Sequence, residues 1–145
     1  MIHIRTLQET DLPQLAVLYE QLVEEPSSPQ RMRETFAKLA ADPNYRLLGA
    51  FEDERLAGSV MGVVCLDLIG DCRPFMVVEN VIVSDAFRGK KVGKLLMEEL
   101  ERIARECRCA YALLVSSGFR TEAHAFYEAL GYTEDVRGFR RRLTL

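Results

Sequence analysis

No run of this sequence stays apolar for the roughly 20 residues that a bilayer-spanning helix needs, so a membrane span is not expected. No single charge sign dominates: Lys and Arg number 19 against 22 Asp and Glu, a net charge of −3. The basic bias that marks most nucleic-acid binders is therefore missing. Cysteine and histidine are scarce. Cys107-x-Cys109 is the one close cysteine pair, Cys65 and Cys72 add no second pair at zinc-ligand spacing, and His3 and His124 are far apart. No metal site is expected, and reduced, partly buried thiols are the reading. The start, Met-Ile-His-Ile-Arg-Thr, lacks the charged-then-apolar order of a signal peptide, which makes a cytoplasmic location the expectation. Repeats, low-complexity tracts and interdomain linkers are also missing. What remains is 145 residues, 48% hydrophobic and 28% charged, which fits one domain over residues 1–145 with one sizeable core.

The most informative stretch runs from Val81 to Met97. It opens as a strand, with Val81, Ile82 and Val83 in succession. It closes as a helix, because Val92, Leu95, Leu96, Leu100, Ile103, Ala104 and Cys107 recur at a period near 3.6. Between them lies a short turn crowded by Arg88, Lys90, Lys91 and Lys94. A helix N-terminus favours acidic residues, and an exposed cation there is disfavoured by roughly 0.3–1 kcal/mol. Here the acids Glu98, Glu99 and Glu101 follow the cations. That inverted order calls for an anion at the helix start. Gly89 and Gly93 leave room for a ligand to reach free backbone N–H groups, so the turn and helix start read as a phosphate cradle. The plainer alternative is a solvated basic cap on a core helix.

Taken in order, Ile2 to Leu7 alternates as a strand. Thr10 is the expected cap of a first helix, whose apolar face is Leu12, Leu15, Ala16, Tyr19, Leu22 and Val23. The segment Glu24–Pro29 breaks it, and a second helix is expected over about Pro29–Ala41. Strands follow at Tyr45–Phe51, Leu56–Ile69 and Phe75–Val83, with Gly58 and Gly62 marking bulges or close backbone contact. After the helix over about Lys90–Cys107, with Glu98–Arg102 and Glu101–Arg105 pairs on its wet face, comes a short strand over Ala110–Ser116. It should lie parallel to its predecessor, since a helix joins the two. A last helix over about Thr121–Leu130 ends at Gly131, and closing strands are expected at Tyr132–Asp135 and Phe139–Leu145 around Arg137-Gly138. The class is α/β with a mixed sheet, in the order β-α-α-β-β-β-α-β-α-β-β.

Two motifs carry a family resemblance. Glu79-Asn80-Val81-Ile82-Val83 followed by Arg88-Gly89-Lys90-Lys91-Val92-Gly93 resembles the acetyl-CoA motif of the GNAT acyltransferase superfamily. Ala123-His124-Ala125-Phe126-Tyr127-Glu128-Ala129-Leu130-Gly131-Tyr132 resembles the C-terminal helix motif of the same family. The element order matches too, so the resemblance covers nearly the whole chain. It implies a sheet splayed between the strand ending at Val83 and the one from Ala110, with acetyl-CoA in the splay as cosubstrate. The pantetheine arm would pair with backbone near Val81, Ile82 and Val83. The pyrophosphate would rest on N–H groups from Arg88 through Gly89, Lys90, Lys91 and Val92 to Gly93, with Lys94 adding charge. Lys91 departs from the motif, which usually has glycine there. It is expected to permit binding if its φ is negative. Arg120 stands where many relatives have asparagine, as a CoA contact or a surface arginine.

The implied chemistry is N-acetylation of an amine, which needs two proton movements. A lysine-like amine is almost wholly protonated at neutral pH, a handicap of roughly 4 kcal/mol, so a base must act, directly or through water. Glu79, in an otherwise apolar strand and two residues before Val81, is the candidate base; on alternation both share one face. A rim glutamate paired with an arginine is the alternative. Tyr127 resembles the family's general acid for the departing thiolate, against a packed core aromatic. A backbone N–H near Val83 would polarise the thioester carbonyl. His124 reads better as packed or solvent-edge than as catalytic. Arg140-Arg141-Arg142, on an alternating strand, reads as solvated or at a subunit edge, which leaves room for a homodimer; nucleic acid is not expected. Glu24, Glu25, Asp67 and Asp71 hint at a cationic acceptor, and the C-terminal motif favours a small-molecule amine. A non-catalytic acyl-CoA-binding sensor or partner module is the other reading.

Overall fold

The computed structural model describes residues 1–116 and 120–144. They divide into two compact units, Met1–Leu113 and Leu114–Leu145. The first holds a five-stranded mixed sheet in sequential order, formed by β1 (Ile2–Thr6), β2 (Tyr45–Glu52), β3 (Arg55–Cys65), β4 (Phe75–Val83) and β5 (Ala112–Leu113). All pairings are antiparallel except β4 with β5, which is parallel. The helix between those two strands, α3 (Val92–Glu106), explains why.

Adjacent residues of β3 point to opposite faces, and they show what covers each. Met61 packs on a cluster of Leu7, Leu12, Leu15, Leu18, Leu47, Phe51 and Leu56, which α1 (Leu12–Val23) and α2 (Pro29–Ala40) help to cover through Tyr19, Met32, Phe36 and Leu39. Gly62 faces α3 instead: a Cβ placed there would lie 2.6 Å from Leu100 Cδ1. Gly58, two pleat repeats earlier, has the same role. Its Cβ would fall 2.8 Å from Ile82 O and 2.9 Å from Val92 Cγ1. The two strand glycines thus mark close approach by α3, at Val92, Leu96 and Leu100, one helical turn apart. Val92, Leu96, Met97, Leu100, Ile103 and Ala104 are buried, and only Met97 was not part of the expected stripe.

The start of α1 differs from the expected Thr10 cap. A 3₁₀ turn over Glu9–Asp11 precedes the helix, and Asp11 Oδ2 accepts from Gln8 N–H at 2.7 Å. The same carboxylate takes a two-pronged contact from Arg5, at 2.7 and 3.0 Å, while the Arg5 guanidinium lies 3.8 Å from the Phe51 ring centre. This ties β1 to α1. Ser28 caps α2 by accepting from Arg31 N–H. On α3, Arg102 pairs with Glu99 and Glu106 at 2.6 Å each rather than with Glu98, which instead meets Lys94 at 3.8 Å.

In the second unit, α4 (Thr121–Ala129) ends as expected at Gly131, whose φ is +101°. Gly131 N–H bonds Glu128 O and Tyr132 N–H bonds Tyr127 O, the paired closure that satisfies the last carbonyls. The closing strands do not form among the described residues: Thr133 to Thr144 is exposed and lacks regular structure. The expected strand over Ala110–Ser116 shrinks to Ala112–Leu113. Alternation shows which side chains a strand would bury, but a strand also needs a neighbour for its backbone groups. Among the described residues no helix is long and apolar enough to cross a membrane.

Candidate functional site

β4 is nine residues long, yet it meets β5 only at Met76–Ala112 and Val77–Leu113. From Val78 onward that edge is unpaired by β5. Which backbone groups face it follows from the other edge. Ser84 N–H bonds Ala57 O at 2.8 Å, and Ile82 lies opposite Ser59. By strand alternation Ile82 directs its N–H and C=O to β3, whereas Val81 and Val83 direct theirs to the open edge. Val81 and Val83 therefore match the expected backbone pairing site and Ile82 does not. Ile82 instead packs its side chain on the α1–α2 cluster.

A bulge interrupts β4 just before this edge. Between the pairs Met61–Glu79 and Ser59–Ile82, β3 has one residue and β4 has two. Asn80 takes the left-handed conformation, φ +54°, that such an extra residue adopts. Glu79 consequently shares a face with its partner Met61 and with Ile82, and not with Val81 as uninterrupted alternation predicts. Glu79 is also exposed rather than enclosed by the apolar strand.

Beyond Val83 the chain makes a 3₁₀ turn over Asp85–Phe87 and then reaches α3. Lys91 occupies the residue before the helix with φ +62° and ψ +23°. The condition set for Lys91, a negative φ, is not met, and the motif's usual glycine becomes intelligible, because this position adopts left-handed backbone. Gly89, at φ +80°, is left-handed as well. A left-handed residue followed by helical ones turns successive N–H groups to one side, as an anion-binding concavity. No side chain caps this end and no acidic residue sits in its first turn. The N–H groups of Val92, Gly93 and Lys94 have no partner within the helix. In the preceding turn Arg88 and Lys90 N–H return to Asp85 O and Phe87 O, each at 3.4 Å.

Three of the four cations have carboxylate partners: Arg88–Asp85 at 2.9 Å, Lys90–Glu52 at 3.4 Å and Lys94–Glu98 at 3.8 Å. Exposed pairs of this kind are worth about 0–1 kcal/mol and yield readily to a stronger anion. Among the described residues Lys91 has no ion pair. Phe87, buried beneath the turn, fixes its base, with Arg55 and Lys90 lying 5.0 and 5.2 Å from its ring centre.

The expected acidic set divides. Asp67 and Asp71 lie in the loop before β4, while the concavity lies beyond the far end of that strand, about 30 Å of extended chain away. Asp67 is engaged locally, accepting from Leu68 and Ile69 N–H. Glu24 and Glu25 follow α1, about a turn beyond Tyr19. Tyr19 and Asn80 are what the sequence reading missed. Burial raises the pKa of the Tyr19 hydroxyl, opposed by the neighbouring Asn80 side chain. In the second unit Tyr127 lies edge-on to Phe126 and Tyr132, with ring centres 5.2 and 6.3 Å away. Burial holds its hydroxyl above the usual 10.0, opposed by the charge of Arg120. His124 is half-buried on the same helix.

The sequence model of the Acetyltransferase (GNAT) family matches residues 10–132. A probable glucosamine 6-phosphate N-acetyltransferase of Drosophila melanogaster is 30% identical over 100 residues, which are 67% of this chain and 44% of that protein. The chain thus spans less than half the length of this relative. Among solved structures, a putative acetyltransferase from Agrobacterium tumefaciens superposes with a TM-score of 0.92 at 26% identity, covering 97% of this chain and 99% of the other. An acetyltransferase of Trypanosoma brucei gives 0.86 at 26% identity, with 99% and 100% covered.

Proposed function

This chain belongs to the GNAT acetyltransferase family, and on that premise we propose that residues 1–145 move an acetyl group from acetyl-CoA to a primary amine of a small molecule. The observation that carries the reading is the uncapped start of α3, with left-handed Lys91 before it, next to the edge of β4 that β5 leaves unpaired from Val78 onward. These features suit an extended ligand that ends in a diphosphate. The N–H groups of Gly89, Lys91, Val92 and Gly93 receive the pyrophosphate, with Arg88, Lys90, Lys91 and Lys94 supplying charge. Val81 and Val83 pair with the pantetheine arm as a neighbouring strand would. The N–H of Val83 or Val81 polarises the thioester carbonyl.

Glu79, directly or through water, takes a proton from the acceptor ammonium. The freed nitrogen attacks the thioester carbon, the C–N bond forms and the C–S bond breaks. Tyr127 gives its proton to the departing sulfur. Its raised pKa supports this role, since a phenol must keep its proton at neutral pH to donate it. The exposure of Glu79 supports a base that works through water. Glu24 and Glu25, near the α1 end of the same sheet face as Glu79, favour a cationic acceptor such as an amino sugar.

A thiol-release assay with acetyl-CoA across a panel of amino sugars, aminoglycosides, polyamines and amino acids tests this. Turnover on at least one amine is expected. Tyr127→Phe should lower kcat by about tenfold or more, and Glu79→Gln should lower it most below neutral pH, as loss of an acid or base does. Coenzyme A uptake without turnover on any amine, together with an unaffected Tyr127→Phe variant, would point to a binding module.

A further inference from the structure

Before the bulge, β3 and β4 alternate cleanly between two faces. Gly62, Val64, Met76 and Val78 are buried on the face that α3 covers, while Val63, Phe75 and Val77 on the other face are only half-buried. Among the described residues the α1–α2 cluster covers that second face as far as Met61 and Ile82, and takes in no residue of β4 before Ile82 and none of β5. Leu113, opposite Val77, is half-buried too. Tyr111, 52% exposed, stacks on Phe75 with ring centres 5.4 Å apart. A sheet face left to water ordinarily carries polar residues at these alternate positions. This one carries valine, phenylalanine, leucine and tyrosine, and a contiguous exposed apolar patch marks a binding surface. Glu79, exposed and on the same face as Val77 and Phe75, closes one end of it. All of these residues lie in the first unit.

The size of this floor points to its occupant. From Glu79 back to Phe75 is about 13 Å of strand, and from Val63 across Val77 to Leu113 is two strand spacings, about 10 Å. That makes roughly 130 Å², against about 800 Å² per partner in a stable protein interface. A small molecule fills it. We propose that the floor takes the carbon body of the acceptor, and that the substrate is a small primary amine with an apolar body whose ammonium meets Glu79. One pleat repeat, about 7 Å, separates Glu79 from Val77, so the body lies over Val77 between Val63 and Leu113, and a longer one reaches Phe75 and Tyr111. A sugar ring in the same place would lose water from its hydroxyls and find no partner for them. The inference rests on the acetyl-transfer reading above and narrows it: Glu24 and Glu25 select for charge alone, whereas the floor selects for what carries the charge.

Thiol release from acetyl-CoA with the n-alkylamines from propylamine to hexylamine tests it, since these share one charge and differ only in the body. kcat/KM should rise by about twofold to fourfold per added methylene, as moving a methylene out of water does. Val77→Thr keeps the shape and the strand preference but puts a hydroxyl on the floor. It should lower the ratio of hexylamine to propylamine kcat/KM by about threefold or more. If Val77→Thr lowers the melting temperature, Leu113→Thr is read in the same way. A series that does not rise, or a rise that both variants leave intact, would overturn the proposal. So would a Val77 amide resonance that moves with protein concentration, which would put a second copy of the chain on the floor. Turnover of glucosamine beside a flat alkylamine series would overturn the floor and leave acetyl transfer standing. If no amine turns over, the acetyl-transfer reading fails, and titration of the ¹⁵N-labelled protein with hexylamine judges the floor alone: saturable movement of Val63, Val77 and Leu113 supports it, and none overturns it.

Discussion

Lys91 shows how charge and backbone can divide the work at one residue. Its charge is legible in the sequence, as an anomaly at a helix start. Its φ of +62° is not, because lysine gives no local signal for that region. A left-handed non-glycine residue costs roughly 1–2 kcal/mol. Part of that returns as unfolded-chain entropy when glycine is introduced. Lys91→Gly should therefore stabilise the protein by about 0.5–1 kcal/mol in urea denaturation, while coenzyme A uptake weakens at low salt for want of the ammonium. A lower urea midpoint would contradict the backbone account. Asp11 is the other instructive residue. Hydrogen bonds from the Arg5 guanidinium, together with the Gln8 N–H and the arginine's charge, outweigh burial and hold its carboxyl below its ordinary 3.8. A lowered value means that the contribution is fully present above about pH 4 and fades as pH falls through the folded-state value. Arg5 is 38% exposed, so solvent reduces the worth of the pair. Asp11→Asn should cost about 1–2 kcal/mol at pH 7, and the gap to the unmutated chain should narrow by pH 3. A gap independent of pH would exclude the ion pair as its cause.

At the scale of elements, α3 and β3 were the most readable. The 3.6 period of α3 and the two glycines of β3 both appear in the sequence, and they are two halves of one contact. The glycines are not equivalent. A Cβ at Gly62 meets the side chain of Leu100, which can rotate within the core. A Cβ at Gly58 meets Ile82 O, a backbone atom of β4, as well as Val92 at the helix start. Gly58→Ala should cost about 1–3 kcal/mol and Gly62→Ala less, since overpacking is expensive where the neighbour cannot yield. Gly58→Ala should also weaken coenzyme A uptake, because it pushes on the β4 edge and the start of α3 together. The reverse ranking in urea denaturation would contradict this packing. The bulge at Asn80 was not legible, since Val-Val-Glu-Asn-Val-Ile-Val reads as one strand with a single polar interruption. Nor was the lack of strand structure from Thr133 to Thr144 among the described residues. Both depend on which backbone groups have neighbours, a property of the assembled sheet.

At the scale of the whole molecule, the α/β class, the mixed sheet and the parallel β4–β5 step follow from element order, and the family match over residues 10–132 accords with them. Element order carries that far because a helix between two sheet neighbours dictates a parallel crossover. The acceptor was less readable. Acidic residues are visible in a sequence, but only the fold sets Asp67 and Asp71 before β4, the length of that strand from the start of α3.

The central claim is that the start of α3 and the edge of β4 that β5 leaves unpaired hold one ligand between them. Titration of the ¹⁵N-labelled protein with coenzyme A, followed by amide resonances, tests it most directly. The predicted result is saturable movement of Gly89, Lys91, Val92 and Gly93 together with Val81 and Val83, and smaller changes at Asp67 and Asp71. No saturable change, or changes gathered in the loop before β4 while the α3 start stays still, would contradict it.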